Sequence, residues 1–165
     1  MHKSIIARSI FLSVITASLI AFTFISTANA FSVGTATMPI KKAIKTFGIG
    51  TVEKSLLQGS RYVIVSGKII AQRNSTFYPT AKDALGRTNI DRMALGLAPI
   101  GKDGVSVELH HIKQKDHGIL LELTRQEHNN NSAALHRYRS VSEINRSEFE
   151  KFRSLYWRKR AESFK

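Results

Sequence analysis

The pattern of hydrophobic and polar positions changes along the chain from an apolar run, through short β-rich segments, to apolar residues at helical spacing. In the middle, Arg61–Val65 and Lys68–Gln72 flank the dipeptide Ser66-Gly67. Two segments rich in β-branched residues around a two-residue turn predict a β-hairpin. We expect this hairpin to have a structural role.

Two short helices are predicted from their start and stop signals. Thr88 or Asn89 is a candidate N-cap for a helix over Asn89–Leu95, and Gly96 follows as its stop. Thr124–Glu127 has the form of a capping box and predicts a second helix start. The asparagines that follow, at 129–131, are expected to end that helix.

A third helix is predicted at the C-terminus. Ser147–Glu150 has the form of another capping box. The helix it would open carries an apolar stripe beside several basic residues, formed by Phe149, Phe152, Leu155 and Tyr156. An aromatic stripe at helical spacing is more often core than a base-stacking surface, so we assign Tyr156 and Trp157 to the core.

The segment Val105–Leu109 alternates apolar and polar residues and ends in the adjacent pair His110 and His111. Neighbouring side chains on a strand point to opposite faces. One ring can therefore hold a metal ion while the other accepts a proton. His128, placed in the first turn of the second predicted helix, and His136 follow downstream.

The donor set limits the chemistry of such a site. The chain has no cysteine, which excludes thiolate zinc sites and cysteine catalysis. A divalent ion such as Zn, Ni, Mg or Mn would be held by imidazole nitrogens and a carboxylate. Each histidine taken alone is more often an ordinary polar residue than a ligand, and we expect His117 to lie at the surface.

The N-terminal 30 residues have the form of a secretory signal. Lys3 and Arg8 precede an apolar run over residues 9–25, and Ala28-Asn29-Ala30 is a small-x-small cleavage site. We expect cleavage near Ala30, a secreted or periplasmic protein, and no stable membrane association afterwards. The alternative is an uncleaved N-terminal anchor, because the run is long for a signal.

The charge balance is strongly basic. The chain has 25 Lys and Arg residues against 12 Asp and Glu residues, a formal net charge of +13. Such a charge favours polyanionic partners, among them nucleic acid, an anionic membrane face or an acidic protein. The alternative is an ordinary solvated basic surface.

A resemblance narrows these alternatives. The chain resembles the LHH nucleases, members of the HNH/endonuclease VII superfamily known as toxin domains of bacterial secreted polymorphic toxins. The resemblance covers roughly Tyr78–Phe164 and leaves residues 31–75 uncovered. It is carried by Gly86–Met93, Gly96–Gly101, Val107–His111, Gly118–His128, Leu135-His136, Ile144–Phe149 and Tyr156-Trp157.

The resemblance implies an α+β fold built on a small ββα-metal finger, treble-clef-like, with flanking helices. Residues 77–165 would form the nuclease domain and residues 31–76 a segment of unassigned role. His110 would be a metal ligand and part of the catalytic pair, and His111 the general base. His128 and His136 would be further ligands or phosphate contacts.

Substrate contacts and the group that orients the base are less directly implied. Arg87 and Asn89 lie in the upstream motif, where Arg87 could bind phosphate or form a structural salt bridge. Glu108 is a candidate partner for a metal ligand. No clear counterpart exists for the asparagine that orients the base, since the asparagines at 129–131 fit a helix end better.

We therefore predict a secreted, metal-dependent endonuclease that acts on DNA in preference to RNA, as a toxin with a cognate immunity protein or as a scavenging enzyme. The competing hypothesis is a non-catalytic basic module that binds nucleic acid or an anionic surface. His111 separates the two, because a purely structural metal site needs no base.

Overall fold

The computed structural model describes residues 42, 45, 48–137 and 142–165. The predicted signal segment and its cleavage site lie outside these residues. The structure is mixed α+β, as predicted, and no helix in the described part is long and apolar enough to cross a membrane. Among the α-helices of the described part are α1 (Thr51–Leu56), α2 (Asn89–Ala94), α3 (Arg125–Asn130), α4 (Ser132–Leu135) and α5 (Arg146–Glu162).

Four strands form one mixed sheet in the order β1-β2-β4-β3. They are β1 (Arg61–Val65), β2 (Lys68–Gln72), β3 (Glu108–His111) and β4 (Leu120–Leu123). The predicted hairpin is confirmed as the antiparallel pair β1-β2. Its turn residues Ser66 and Gly67 have φ values of 48° and 77°, the left-handed backbone that a tight two-residue hairpin requires.

The hairpin is part of the same sheet as the histidine strand. β2 pairs in parallel with β4, and β4 pairs antiparallel with β3. Strands β3 and β4 followed by α3 form the predicted ββα unit. The predicted domain boundary at residue 76 stays a prediction. Strands on both sides of it pair in one sheet.

Each face of the sheet carries its own hydrophobic cluster. On one face, Tyr156 and Trp157 of α5 are fully buried with Phe77 and Met93, which confirms their assignment to the core. On the other face, Leu57, Leu121 and Leu135 pack together with the residues around them. The central strand β4 is buried along its whole length because it contributes to both faces.

A buried carboxylate ties the sheet to α5. Glu122 of β4 is fully buried and accepts hydrogen bonds from the Tyr156 hydroxyl and from Arg160 Nε, the latter at 2.9 Å. It also accepts one from the Arg73 main-chain nitrogen at 2.6 Å. A buried charge is tolerated when it is paired and hydrogen-bonded in this way, so this network fixes α5 on its face of the sheet.

Two of the three predicted helix starts are confirmed. Thr88 caps α2 and Thr124 caps α3, each in a capping box with the acidic residue three positions later. The third prediction is wrong, because α5 begins at Arg146 and its N-cap is Asn145, whose Oδ1 accepts from the Glu148 main-chain nitrogen at 3.2 Å. Asparagine caps a helix as well as serine does, and Ser147 lies inside the first turn.

Candidate metal and nuclease site

The pair His110-His111 ends β3, and its two rings lie on opposite faces of the sheet, as the pleat of a strand requires. His110 faces α3 and α4, while His111 faces α5. Both side chains are buried. The alternation predicted from the sequence therefore separates the two rings as expected.

Three histidines meet on the His110 side. His110 Nδ1 lies 3.2 Å from His128 Nε2, which lies 3.1 Å from His136 Nε2. His128 is the fourth residue of α3, and His136 follows the last residue of α4. The structure thus brings together all three residues that were predicted as ligands.

Glu108 decides which nitrogen His128 presents to the cluster. Glu108 Oε2 lies 2.9 Å from His128 Nδ1, and Arg125 binds the other carboxylate oxygen at 3.0 Å. A hydrogen on Nδ1 directed at the carboxylate leaves Nε2 with its lone pair toward the cluster. The predicted role of Glu108 as the partner of a ligand agrees with this contact.

The surroundings of His110 and His128 favour their neutral rings. Burial, followed by the charges of the neighbouring histidines, lowers the pKa of His110 to about 3. Burial also lowers the pKa of His128, against the opposing effect of Glu108. Neutral imidazoles are the form that binds metal ions.

The three nitrogens fit a divalent cation. With its Nδ1 hydrogen directed at Glu108, His128 has one lone pair on Nε2, and that lone pair cannot satisfy both neighbours at 3.1–3.2 Å. Two nitrogens at a zinc-type bond length in tetrahedral geometry would lie about 3.3 Å apart. A cation at the centre would accept a lone pair from each ring.

His111 lies in a different environment. Its ring centroid is 4.3 Å from that of Phe149, and its Nε2 lies 4.0 Å from Asp116 Oδ1. Burial, assisted by the charge of Lys68 and opposed by that of Asp116, lowers the pKa of His111 to about 4. The ring is therefore neutral near pH 7 and able to accept a proton.

All four histidines reach one cleft of about 330 Å³. Three arginines, none of them predicted as substrate contacts, share this lining: Arg125, Arg146 and Arg153. Arg146 and Arg153 come from the first half of α5. The cleft therefore combines a nitrogen-rich candidate cation site, a neutral histidine and positive charge.

The two predicted substrate residues lie elsewhere. Neither Arg87 nor Asn89 lines the cleft. Arg87 forms a two-pronged ion pair with Asp83 at 2.9 and 2.7 Å, which is the structural alternative. Asn89 is fully buried, and its amide is engaged with main-chain groups of Tyr78 and Ile100, so it is closed to substrate.

Two further predictions near the site, for His117 and for the asparagines after His128, agree with the structure. His117 is exposed, as expected. Asn131 ends α3 and donates from Nδ2 to the Glu127 carbonyl at 2.8 Å, which agrees with a helix end and not with a base-orienting role. No local sequence signal pointed to Asp116 or Lys68, because their proximity to His111 depends on the sheet.

Comparison with known protein families agrees with this geometry. Residues 88–163 match the family model described as a nuclease of the HNH/ENDO VII superfamily with conserved LHH. This part of the chain is similar to the LHH family. The name corresponds here to Leu109, His110 and His111, and the matched segment includes the whole histidine cluster. The matched LHH segment is therefore similar to the nuclease domains of that superfamily, which are hydrolases that act on nucleic acid.

The family match begins after the hairpin. Strands β1 and β2 and helix α1 precede residue 88, although β2 pairs directly with β4 of the LHH segment. No solved structure matches this chain.

Proposed function

We propose that the protein is a metal-dependent endonuclease that hydrolyses phosphodiester bonds of nucleic acid in the cleft at the end of β3. The observation that carries this proposal is the arrangement of four histidines around one cleft. Three present nitrogens to a common point, while His111 enters from the opposite face of the strand. A purely structural metal site has no use for the fourth ring.

The proposed ligands are His110 Nδ1, His128 Nε2 and His136 Nε2. A divalent ion bound there would stabilise negative charge on the phosphate and on the leaving oxygen. Digestion and binding assays across Zn, Ni, Mg and Mn identify the ion, because imidazole nitrogen binds several divalent metals.

His111 is the proposed general base. It takes a proton from the attacking water, and the electron pair of that O–H bond stays with the oxygen, which bonds to phosphorus. The opposite P–O bond then breaks, its electron pair leaves with the ester oxygen, and that oxygen takes up a proton from solvent. Three arginines line the cleft and would bind the phosphates of a nucleic-acid strand there: Arg125, Arg146 and Arg153.

Three finer points extend the proposal. DNA as the preferred substrate and a toxin role with an immunity protein as partner are supported by the resemblance to LHH toxin domains. Export, with cleavage near Ala30, is supported by the apolar run and the Ala28-Asn29-Ala30 site. The N-terminal residue of exported protein tests the last point, since Phe31 is expected and Met1 would indicate an uncleaved anchor.

The central test is digestion of plasmid DNA and of RNA across several divalent ions, with EDTA as a control. His111→Ala should lose roughly 10²–10⁴-fold in cleavage rate while it retains metal. His110→Ala should lose metal and activity together. His117→Ala is the matched control, because this exposed ring lies outside the cleft. Full activity in His111→Ala would favour the non-catalytic binding module.

A further inference from the structure

The loop from β3 to β4 begins directly after His111 and has a constrained backbone. Ile112 and Ile119 close it with a main-chain hydrogen bond of 2.9 Å. Lys113 and Gln114 have φ values of 62° and 55°, a left-handed backbone that is uncommon outside glycine. Such strain in consecutive residues is typical of segments that hold a functional group in place.

Gly118, near the end of the same loop, has no room for a side chain. A Cβ atom on Gly118 would lie 2.7 Å from the carbonyl oxygen of Ile112 and 3.0 Å from that of Lys115. Asp116 is therefore carried on a tight turn that ends beside the strand pair. Its position follows from the backbone as well as from its own contacts.

Lys68 of β2 holds Asp116 from the other side. Its Nζ donates to the Asp116 carbonyl at 2.8 Å and to Asp116 Oδ1 at 3.1 Å. Because both groups of Asp116 are engaged, the carboxylate has a defined direction. That direction brings Oδ1 to 4.0 Å from His111 Nε2.

His111 Nε2 is the atom that lacks a partner. It is buried and makes no hydrogen bond within the described residues, and only 2% of the His111 side chain is exposed. A buried ring nitrogen of this kind calls for a hydrogen-bond partner. A shift of about 1 Å would bring Asp116 Oδ1 into range, and catalytic hydrogen bonds are often long before substrate binds.

We propose that Asp116, held by Lys68, is the positioning residue for His111 in the proposed nuclease reaction. The Nε2 hydrogen points to Asp116 Oδ1, so the lone pair lies on Nδ1, which becomes the proton acceptor. This positioning role rests on the proposed function. The group that fills it is a carboxylate of the β3–β4 loop.

The competing explanation is that Lys68 and Asp116 form an ordinary surface ion pair that fastens the hairpin to the loop. That pair would affect stability without a preference for one His111 tautomer. It would also make Asp116→Asn and Asp116→Ala similar, because both remove the ion pair. The positioning role separates these variants, since the asparagine oxygen still accepts a hydrogen bond.

The kinetic test uses the full chain under the conditions in which the wild type cleaves. Asp116→Ala should lower kcat by about 10- to 100-fold, the usual effect of a group that acts through another, with KM and metal affinity unchanged. Asp116→Asn should recover most of the rate. Lys68→Met should resemble Asp116→Ala, and the double variant should be no worse than either alone.

The matched control is Glu143→Ala. Glu143 is exposed and forms an ion pair with Lys115 of the same loop at 2.5 Å, so the variant removes a loop contact at a distance from Nε2. Its rate should equal that of the wild type. Equal losses in Glu143→Ala and Asp116→Ala would overturn the positioning role in favour of a loop-stability effect.

A second measurement is independent of cleavage. Nitrogen-15 shifts of the His111 ring should report the Nε2–H tautomer in the wild type and a tautomer mixture in Asp116→Ala. A wild-type ring with its hydrogen on Nδ1 would overturn the proposal. If the wild type failed to cleave with any ion, the proposed nuclease function would fall, while the tautomer would still decide whether Asp116 holds the ring.

Discussion

Glu108 links the proposed cation site to the surrounding charges. It holds His128 through Nδ1 and is itself held by Arg125. Glu108→Ala removes the group that orients this ligand, so affinity for the divalent ion should fall roughly 10- to 100-fold. A competition titration with a chromophoric chelator measures it. Unchanged affinity would show that His128 does not depend on its carboxylate partner.

Helix α3 shows how a short element places a proposed ligand, His128. It has six residues, too few to be stable without its cap and its packing. Thr124→Ala removes the cap and should lower the free energy of unfolding by about 1 kcal/mol, measured by urea denaturation in EDTA. Because His128 follows this first turn directly, metal affinity should fall as well.

The cap of α5 provides the control at the same scale. Asn145→Ala removes an equivalent side-chain cap and should cost a similar free energy of unfolding. Metal affinity should remain that of the wild type, since α5 supplies no ligand. Loss of affinity in both variants would mean that general destabilisation, and not the cap of α3, affects the cluster.

At the scale of the whole molecule, the +13 charge should make binding to nucleic acid depend on salt. For His111→Ala on two unrelated duplexes, the logarithm of affinity should fall with the logarithm of salt concentration by about 0.9 per phosphate contacted. Arg146→Ala should reduce that slope by about 1. Arg87→Ala should leave it unchanged, because Arg87 lies outside the cleft and is paired with Asp83.

Metal removal should also change the stability of the whole fold. The proposed ligands come from β3, from α3 and from the residue after α4, so a bound ion would connect three elements. An ion at about 1,000 times its Kd stabilises the folded state by about 4 kcal/mol. Thermal unfolding should therefore shift upward on metal addition in the wild type and should not shift in His110→Ala.

Much of this molecule follows from interactions between residues close in sequence. Thr88 and Thr124 bond to residues three positions away, and the hairpin turn depends on two residues, so both could be predicted. The failure at Ser147 has the same origin, because Asn145 is an equally good cap. Local preference alone does not choose between two eligible residues that are two positions apart.

The sequence by itself determined that His110 and His111 face opposite ways, since strand pleating allows nothing else. Only the tertiary structure decided which other side chains they meet. Sheet register and the placement of α3 and α4 bring His128 and His136 to His110, and pairing of β2 with β4 brings Lys68 to Asp116, 48 positions away. Asn89 is structural because folding buries it between the carbonyl groups of Tyr78 and Ile100, each eleven positions away in the sequence. Such contacts depend on the packing of the whole sheet, which no local pattern encodes.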